Sequence, residues 1–216
     1  MLVGRRGGSG ENDRSRPRGL PRRAAGSAAD RLARCPGTLE CVFAVVLTGP
    51  PGAGKSSVLT ALVDALSDDE IPHAAVEAEA LVWTYPALND EQWTRHVQAV
   101  CQLHRDAGHE LLLIAQTVET DEDMAQLKQA VSADEYLLVR LEAQSGTLTE
   151  RIVEREPASW SGLPELVAHA EELAASMPAL RGIDLALSTE RDRPEVVAQR
   201  IRDARPGRLL PPPASR

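Results

Sequence analysis

Gly49-Pro50-Pro51-Gly52-Ala53-Gly54-Lys55-Ser56 fits the spacing G-x-x-x-x-G-K-[ST] at every fixed position. Each residue type answers a physical demand. A polyphosphate is a dense anion that must be held by donors without a wall of side chains. Gly49, Gly52 and Gly54 let the chain curl so that successive backbone N–H groups point inward as an anion nest. Pro51, Ala53 and Ser57 complete the candidate cradle. A helix starting near Lys55 adds the positive end of its dipole. Lys55 supplies a mobile charge for the β- and γ-phosphates, and the Ser56 hydroxyl is placed to ligate Mg2+. Four fixed positions match by chance in a chain of this length on the order of 1% of the time. The competing reading is a glycine-rich turn between core elements.

The flanking pattern favours the phosphate loop. Leu39–Thr48 is a β-branched, apolar run before it, and Lys55–Leu66 a helical stretch after it. Val58, Leu59, Leu62, Val63 and Leu66 recur there at the spacing of a buried helix face. Further along, strands are expected at Ala74–Ala78, Leu111–Ala115, Tyr136–Leu141 and Ile183–Leu187. Helices are expected at Asp90–Gly108, Asp121–Val131, Leu148–Arg155, Leu163–Ser176 and Pro194–Ala204. Unalternating apolar strands between helices predict an α/β chain, a parallel sheet covered on both faces in a three-layer α/β/α sandwich.

The 216 residues carry a net charge of −8, 43% hydrophobic residues and 26% charged ones, the profile of a folded globular chain. Aromatic residues make up only 3%, which together with the acidity argues against stacking on, or neutralising, nucleic acid. No apolar run reaches the roughly 18–20 residues that span a bilayer. Residues 1–38 hold nine arginines against Glu11, Asp13 and Asp30, with no periodicity, and read as a disordered basic tail. Residues 39–205 read as the folded domain, and 206–216, with Pro211, Pro212 and Pro213, as a second disordered end. Cys35, Cys41 and Cys101 are odd in number and form no C-x-x-C pair. Neither a disulfide framework nor a zinc site is expected, and a reducing cytoplasm fits best.

Three further groups are candidates for chemistry. Glu77-Ala78-Glu79 closes the second strand, where ligands bind in open parallel sheets. Either carboxylate could hold a metal's water shell or take an acceptor's proton, and a solvated strand end is the alternative. Leu111–Ala115 ends in Gln116 and Thr117 rather than an aspartate, so the usual metal-organising acid at that point is missing. Arg140, Arg151 and Arg155 form the third group; Arg151 and Arg155 lie four apart on one helix side, before a polar, turn-rich segment suited to closing over a phosphoryl group. Their alternative is ion pairing with Glu150, Glu154 or Glu156. The five histidines lack metal-ligand spacing, and no N-K-x-D motif for reading guanine occurs.

On these residues the chain resembles the small P-loop kinases of the shikimate, gluconate and adenylylsulfate kinase type, and bacterial AAA-type ATPases of similar size. The resemblance covers about residues 42–204. It implies a five-stranded parallel sheet of order 2-3-1-4-5 with a lid. It places Glu77 and Glu79 where those kinases carry a D-x-D pair, Arg151 and Arg155 on the lid helix, and Asp184–Thr189 near the adenine. Trp83, Tyr85 and Pro86 then lie on the substrate side, unless they simply pack. The expected activity is transfer of the γ-phosphoryl of Mg-ATP to a small hydroxylated molecule, by a monomer or homodimer. Lys55, Glu79, Arg151 and Arg155 are the expected catalytic residues, and Ser56 with Glu79 the metal ligands. The rival expectation is a nucleotide-binding switch or ATPase module with little catalysis.

Overall fold

The computed structural model describes residues 41–211. Strand β1 (Phe43–Thr48) is buried along its whole length. It has no polar residue until Thr48, so it suits the centre of a sheet covered on both sides. There it pairs in parallel with β3 (Leu111–Ala115) on one side and β4 (Glu135–Glu142) on the other. Strand β2 (Ala74–Glu77) adds outside β3, and β5 (Leu185–Ser188) outside β4. The order is therefore β2-β3-β1-β4-β5, all parallel, as the resemblance implies.

Alternation along β1 divides the core in two. Phe43, Val45 and Leu47 face α1 (Lys55–Asp68) and α6 (Pro194–Ala204), packing with Leu62, Leu66, Val197 and Ile201. Ala44 and Val46 face α2 (Asp90–Asp106) and α3 (Asp121–Val131), packing with Val97, Cys101, Met124 and Leu127. Each fully buried leucine contributes about 1.5–3 kcal/mol, and these leucines flank the central strand from which the glycine-rich loop leaves. Helices α4 (Ser145–Arg155) and α5 (Leu163–Ser176) pack together as an arm beside β4.

Two expectations meet differences. The first four residues of the stretch 206–216, assigned to a disordered end, instead form α7 (Pro206–Leu209), with Leu209 fully buried in the α1 and α6 core. Arg202 Nε donates to Leu209 O at 2.9 Å and holds the turn. A four-residue helix is too short for periodicity to reveal. Cys41 is disulfide-bonded, whereas no disulfide was expected from the cysteine spacing. The tail expected at 1–38, the start of the Leu39–Thr48 run and the last prolines lie outside the described residues. Among the described residues no helix is long and apolar enough to cross a membrane.

Candidate functional site

The loop leaving β1 owes its path to its glycines. A side chain at Gly49 would place Cβ 2.5 Å from Leu141 O, and one at Gly52, at φ 80°, 2.8 Å from Leu148 O. The loop thus lies against the end of β4 and the first turns of α4. Gly54, at φ 86°, is the N-cap of α1. The starts of α2 and α3 are closed by capping boxes from Asn89 with Gln92 and from Thr120 with Asp123. The start of α1 has no side-chain cap and no acid in its first turn. Like those of α4, α5 and α6, its opening N–H groups have no side-chain acceptor. Ser56 and Ser57 are exposed there, while Ala53 is buried under the loop.

Backbone ladders carry the next residues to the same place. Ala78 N donates to Ala115 O at 3.0 Å and Gln116 N to Leu47 O at 3.1 Å, extending the β2–β3 and β3–β1 pairings by a step. Thr48 Oγ1 accepts from Val118 N at 3.0 Å inside the core. Glu79 and Thr117 consequently stand beside Lys55. Lys55 Nζ donates to Gly49 O at 2.9 Å and Thr117 Oγ1 at 2.8 Å, and lies 3.6 Å from Glu79 Oε1. Glu79 Oε1 also accepts from Thr117 N at 2.6 Å and from the Thr117 hydroxyl.

Burial pushes the Lys55 ammonium below its ordinary range, and Glu79 offsets this only in part. Burial alone would raise the Glu79 carboxyl; the Lys55 charge and the two Thr117 hydrogen bonds outweigh it and hold the carboxyl low. Lys55 and the Glu79 carboxylate therefore face each other at the mouth of the loop.

The arginines separate. Arg151 turns to the back of the loop, donating from Nη1 to Gly52 O at 3.2 Å and Thr189 Oγ1 at 3.0 Å, and from Nη2 to Thr189 O at 2.7 Å. Thr189 Oγ1 in turn donates to Ala53 O at 3.0 Å. Arg151 thus braces the cradle rather than facing its mouth. Arg155 pairs with Glu156 at 2.7 Å, one of the ion pairs weighed above, while staying close enough to Lys55 to lower its pKa further. Arg140 is away from both, bonded to Glu142 and to Met177 O. Glu77 ends β2 exposed. Trp83 and Tyr85 are 88% and 102% exposed, so packing does not occupy them.

A cavity of about 190 Å3 opens behind Gly54, walled by Arg151, Thr189, Asp192, Pro194 and Val197. Of these, Asp192, Pro194 and Val197 carry no motif that would mark them in the sequence. Thr117 was visible only as the residue standing where an acid is missing. Glu190 ties the arm to this wall, accepting from Thr147 Oγ1 at 2.6 Å and Gln144 N at 2.9 Å at the start of α4. These hydrogen bonds hold its carboxyl below the ordinary 4.5. Because the folded-state value is depressed, the stabilisation is present above the unfolded value and is lost as pH falls through the folded one. Wild type should therefore melt above Glu190→Gln at pH 7, the gap closing only below about pH 4. Melting curves of both proteins from pH 7 to 3 check this; a gap constant across that range would refute it.

Residues 45–176 match the AAA domain family. The chain belongs to that family. Among solved structures this AAA-domain protein is similar to a sugar kinase from Janibacter sp. HTCC2649, at 18% identity and TM-score 0.54 over 79% of this chain and 99% of that one. It is similar to the APS kinase of Mycobacterium tuberculosis in complex with AMPPNP and APS, at 18% and 0.54 over 76% and 98%. A gluconokinase from Sinorhizobium meliloti 1021 gives 17% and 0.50 over 76% and 92%. No curated protein matches it. At these identities the likeness establishes the fold, that of a small P-loop kinase-like protein.

Proposed function

We propose that the chain binds Mg-ATP and transfers its γ-phosphoryl to a small hydroxylated molecule. The observation that carries this reading is the Lys55–Thr117–Glu79 group at the mouth of an uncapped, glycine-shaped loop. The loop N–H groups and the start of α1 would hold the phosphates. Lys55, released from Gly49 O and Thr117, would reach the β- and γ-oxygens. The cavity between Arg151 and Pro194 lies on the far side of Gly54, where a base attached to those phosphates would go.

The donors available to a metal are hard oxygens, the Ser56 hydroxyl and the Glu79 carboxylate, which suit Mg2+. Among the described residues no three His, Cys, Asp or Glu are grouped for a metal. That fits an ion completed by phosphate oxygens and water. Mg2+ held there by Ser56 and Glu79 would supply charge neutralisation to the phosphates. Glu77 or Glu79 orients the acceptor hydroxyl and takes its proton. Arg155, on the side of the arm nearest Lys55, leaves Glu156 to offset the charge on the moving phosphoryl.

A second reading, a nucleotide-binding switch with little turnover, is favoured by one observation. Strand β3 ends without an acid, and Glu79 is already engaged by Thr117 and Lys55. Calorimetric titration with Mg-ATP, followed by ATP-consumption assays with and without hydroxylated acceptors, separates the two. Acceptor-dependent consumption supports the kinase, and tight binding without consumption supports the switch. No heat on titration and no consumption would remove both.

A further inference from the structure

The Thr117 hydroxyl has one proton and two lone pairs, and both kinds of capacity are committed. It accepts from Lys55 Nζ at 2.8 Å and donates to Glu79 Oε1. Gly49 O, 3.5 Å away, cannot share that proton in the same state. The Thr117 backbone N–H donates to the same carboxylate oxygen at 2.6 Å. One residue thus supplies two donors to Glu79, whose side chain is otherwise 47% exposed and free to turn into solvent. Neither contact depends on Lys55. When the ammonium moves to a phosphate, Glu79 stays where it is.

Strand β3 runs out in Ala115-Gln116-Thr117 with no carboxylate of its own, and β2 runs out in Glu77-Ala78-Glu79. We propose that Thr117 is the positioning residue that holds Glu79, a carboxylate from β2, at the end of β3 beside Lys55. Glu79 there does the work an acid on β3 would do. The proposal rests on the reading of this loop as a Mg-ATP site. It goes beyond that reading in assigning Thr117 a role exercised through Glu79, beside its own hydrogen bond to Lys55.

Lys55 and Lys128 are the only lysines in the chain, so amine labelling reports on Lys55 with an internal standard. Lys128 lies over the Tyr136 ring, 5.5 Å from its centroid and remote from the loop. Full-length wild type, Thr117→Val, Thr117→Ser, Glu79→Gln and the double variant Thr117→Val/Glu79→Gln would be compared in two measurements. The first is trace labelling of ligand-free protein in EDTA with acetic anhydride, read by peptide mass spectrometry as the Lys55 to Lys128 ratio. The second is the ratio of calorimetric affinities for ATP with Mg2+ and with EDTA.

Thr117→Val should raise the labelling ratio about threefold and lower the Mg2+-dependent gain in affinity about tenfold, the size of a lost hydrogen bond to a charged group. Thr117→Ser, which keeps the hydroxyl, should stay within about twofold of wild type in both. Glu79→Gln should show both changes; in the affinity ratio the double variant should go no further than Glu79→Gln alone, and in labelling it should fall short of the product of the two singles, the direct Lys55–Thr117 bond supplying what remains. Wild-type values in Thr117→Val, or a double variant equal to the product of the two singles, would overturn the proposal. If Thr117→Val does not fold, Thr117→Ala replaces it under the same criteria. Absence of any ATP binding by wild type would instead defeat the proposed function. The labelling cycle in ligand-free protein would then still decide whether Thr117 acts through Glu79.

Discussion

Lys55→Ala is expected to weaken Mg-ATP binding by about 10- to 100-fold, and to cut any ATP-dependent turnover by a further 100-fold or so. The binding loss is smaller than a bare ammonium–phosphate pair would suggest. In the free protein Nζ is already bonded to Gly49 O and Thr117 Oγ1 and paired with Glu79, and nucleotide must replace those partners. Burial has already lowered the amine's pKa, so the site holds its charge less favourably than water does. The turnover loss is larger because charge on the phosphoryl oxygens develops during transfer, where a positioned cation acts most strongly. Calorimetry with Mg-ATP and a coupled ATP-consumption assay measure the two separately. A variant that melts like wild type and keeps its affinity and turnover would refute the role of the loop itself.

The fold was legible because its signals are long and local. The β1 run, the glycine spacing and the apolar face of α1 each repeat over six or more residues, and every strand and helix expected between residues 43 and 204 is present. The site was legible only where one residue type admits few uses. A lysine after Gly54 has one obvious task, and Lys55 sits at the loop mouth. Arginine has many, and periodicity could not say which way α4 turns. Arg151 and Arg155 do share a helix side. Yet one is bonded to Gly52 O and Thr189 behind the loop, and the other to Glu156. The Thr117–Glu79 contact joins residues 38 apart through the β2–β3 register. No local pattern encodes it, because it depends on two strands ending level. The α7 turn escaped for the opposite reason, being barely one period of its own signal long.

Gly49→Ala should be the most destabilising of the loop's glycine substitutions, and its cost separates crowding from backbone strain. The added Cβ would meet the Leu141 carbonyl at 2.5 Å and the Ala53 Cβ at 3.2 Å. Leu141 belongs to β4, where it pairs with Leu187 of β5 and follows Arg140, the partner of Thr48 in β1, so that carbonyl cannot retreat without disturbing the sheet on both sides. Overpacking against backbone and an unfavourable φ together cost about 3 kcal/mol or more. For a chain of this size that lowers the melting temperature by roughly 10 °C. Gly54→Ala shares the positive φ, but a Cβ there meets nothing within 4 Å. It should therefore incur only the strain of a left-handed residue, about 1–2 kcal/mol. Nucleotide affinity should respond differently from stability. Gly54 is the N-cap of α1, so a shift in its backbone re-aims the N–H groups that would meet the phosphates. Gly54→Ala is expected to lose affinity out of proportion to its small loss of melting temperature. Gly49→Ala should lose stability first. Paired melting and calorimetric measurements would expose an inverted order, and an inverted order would mean that the loop does not lie against β4 as described.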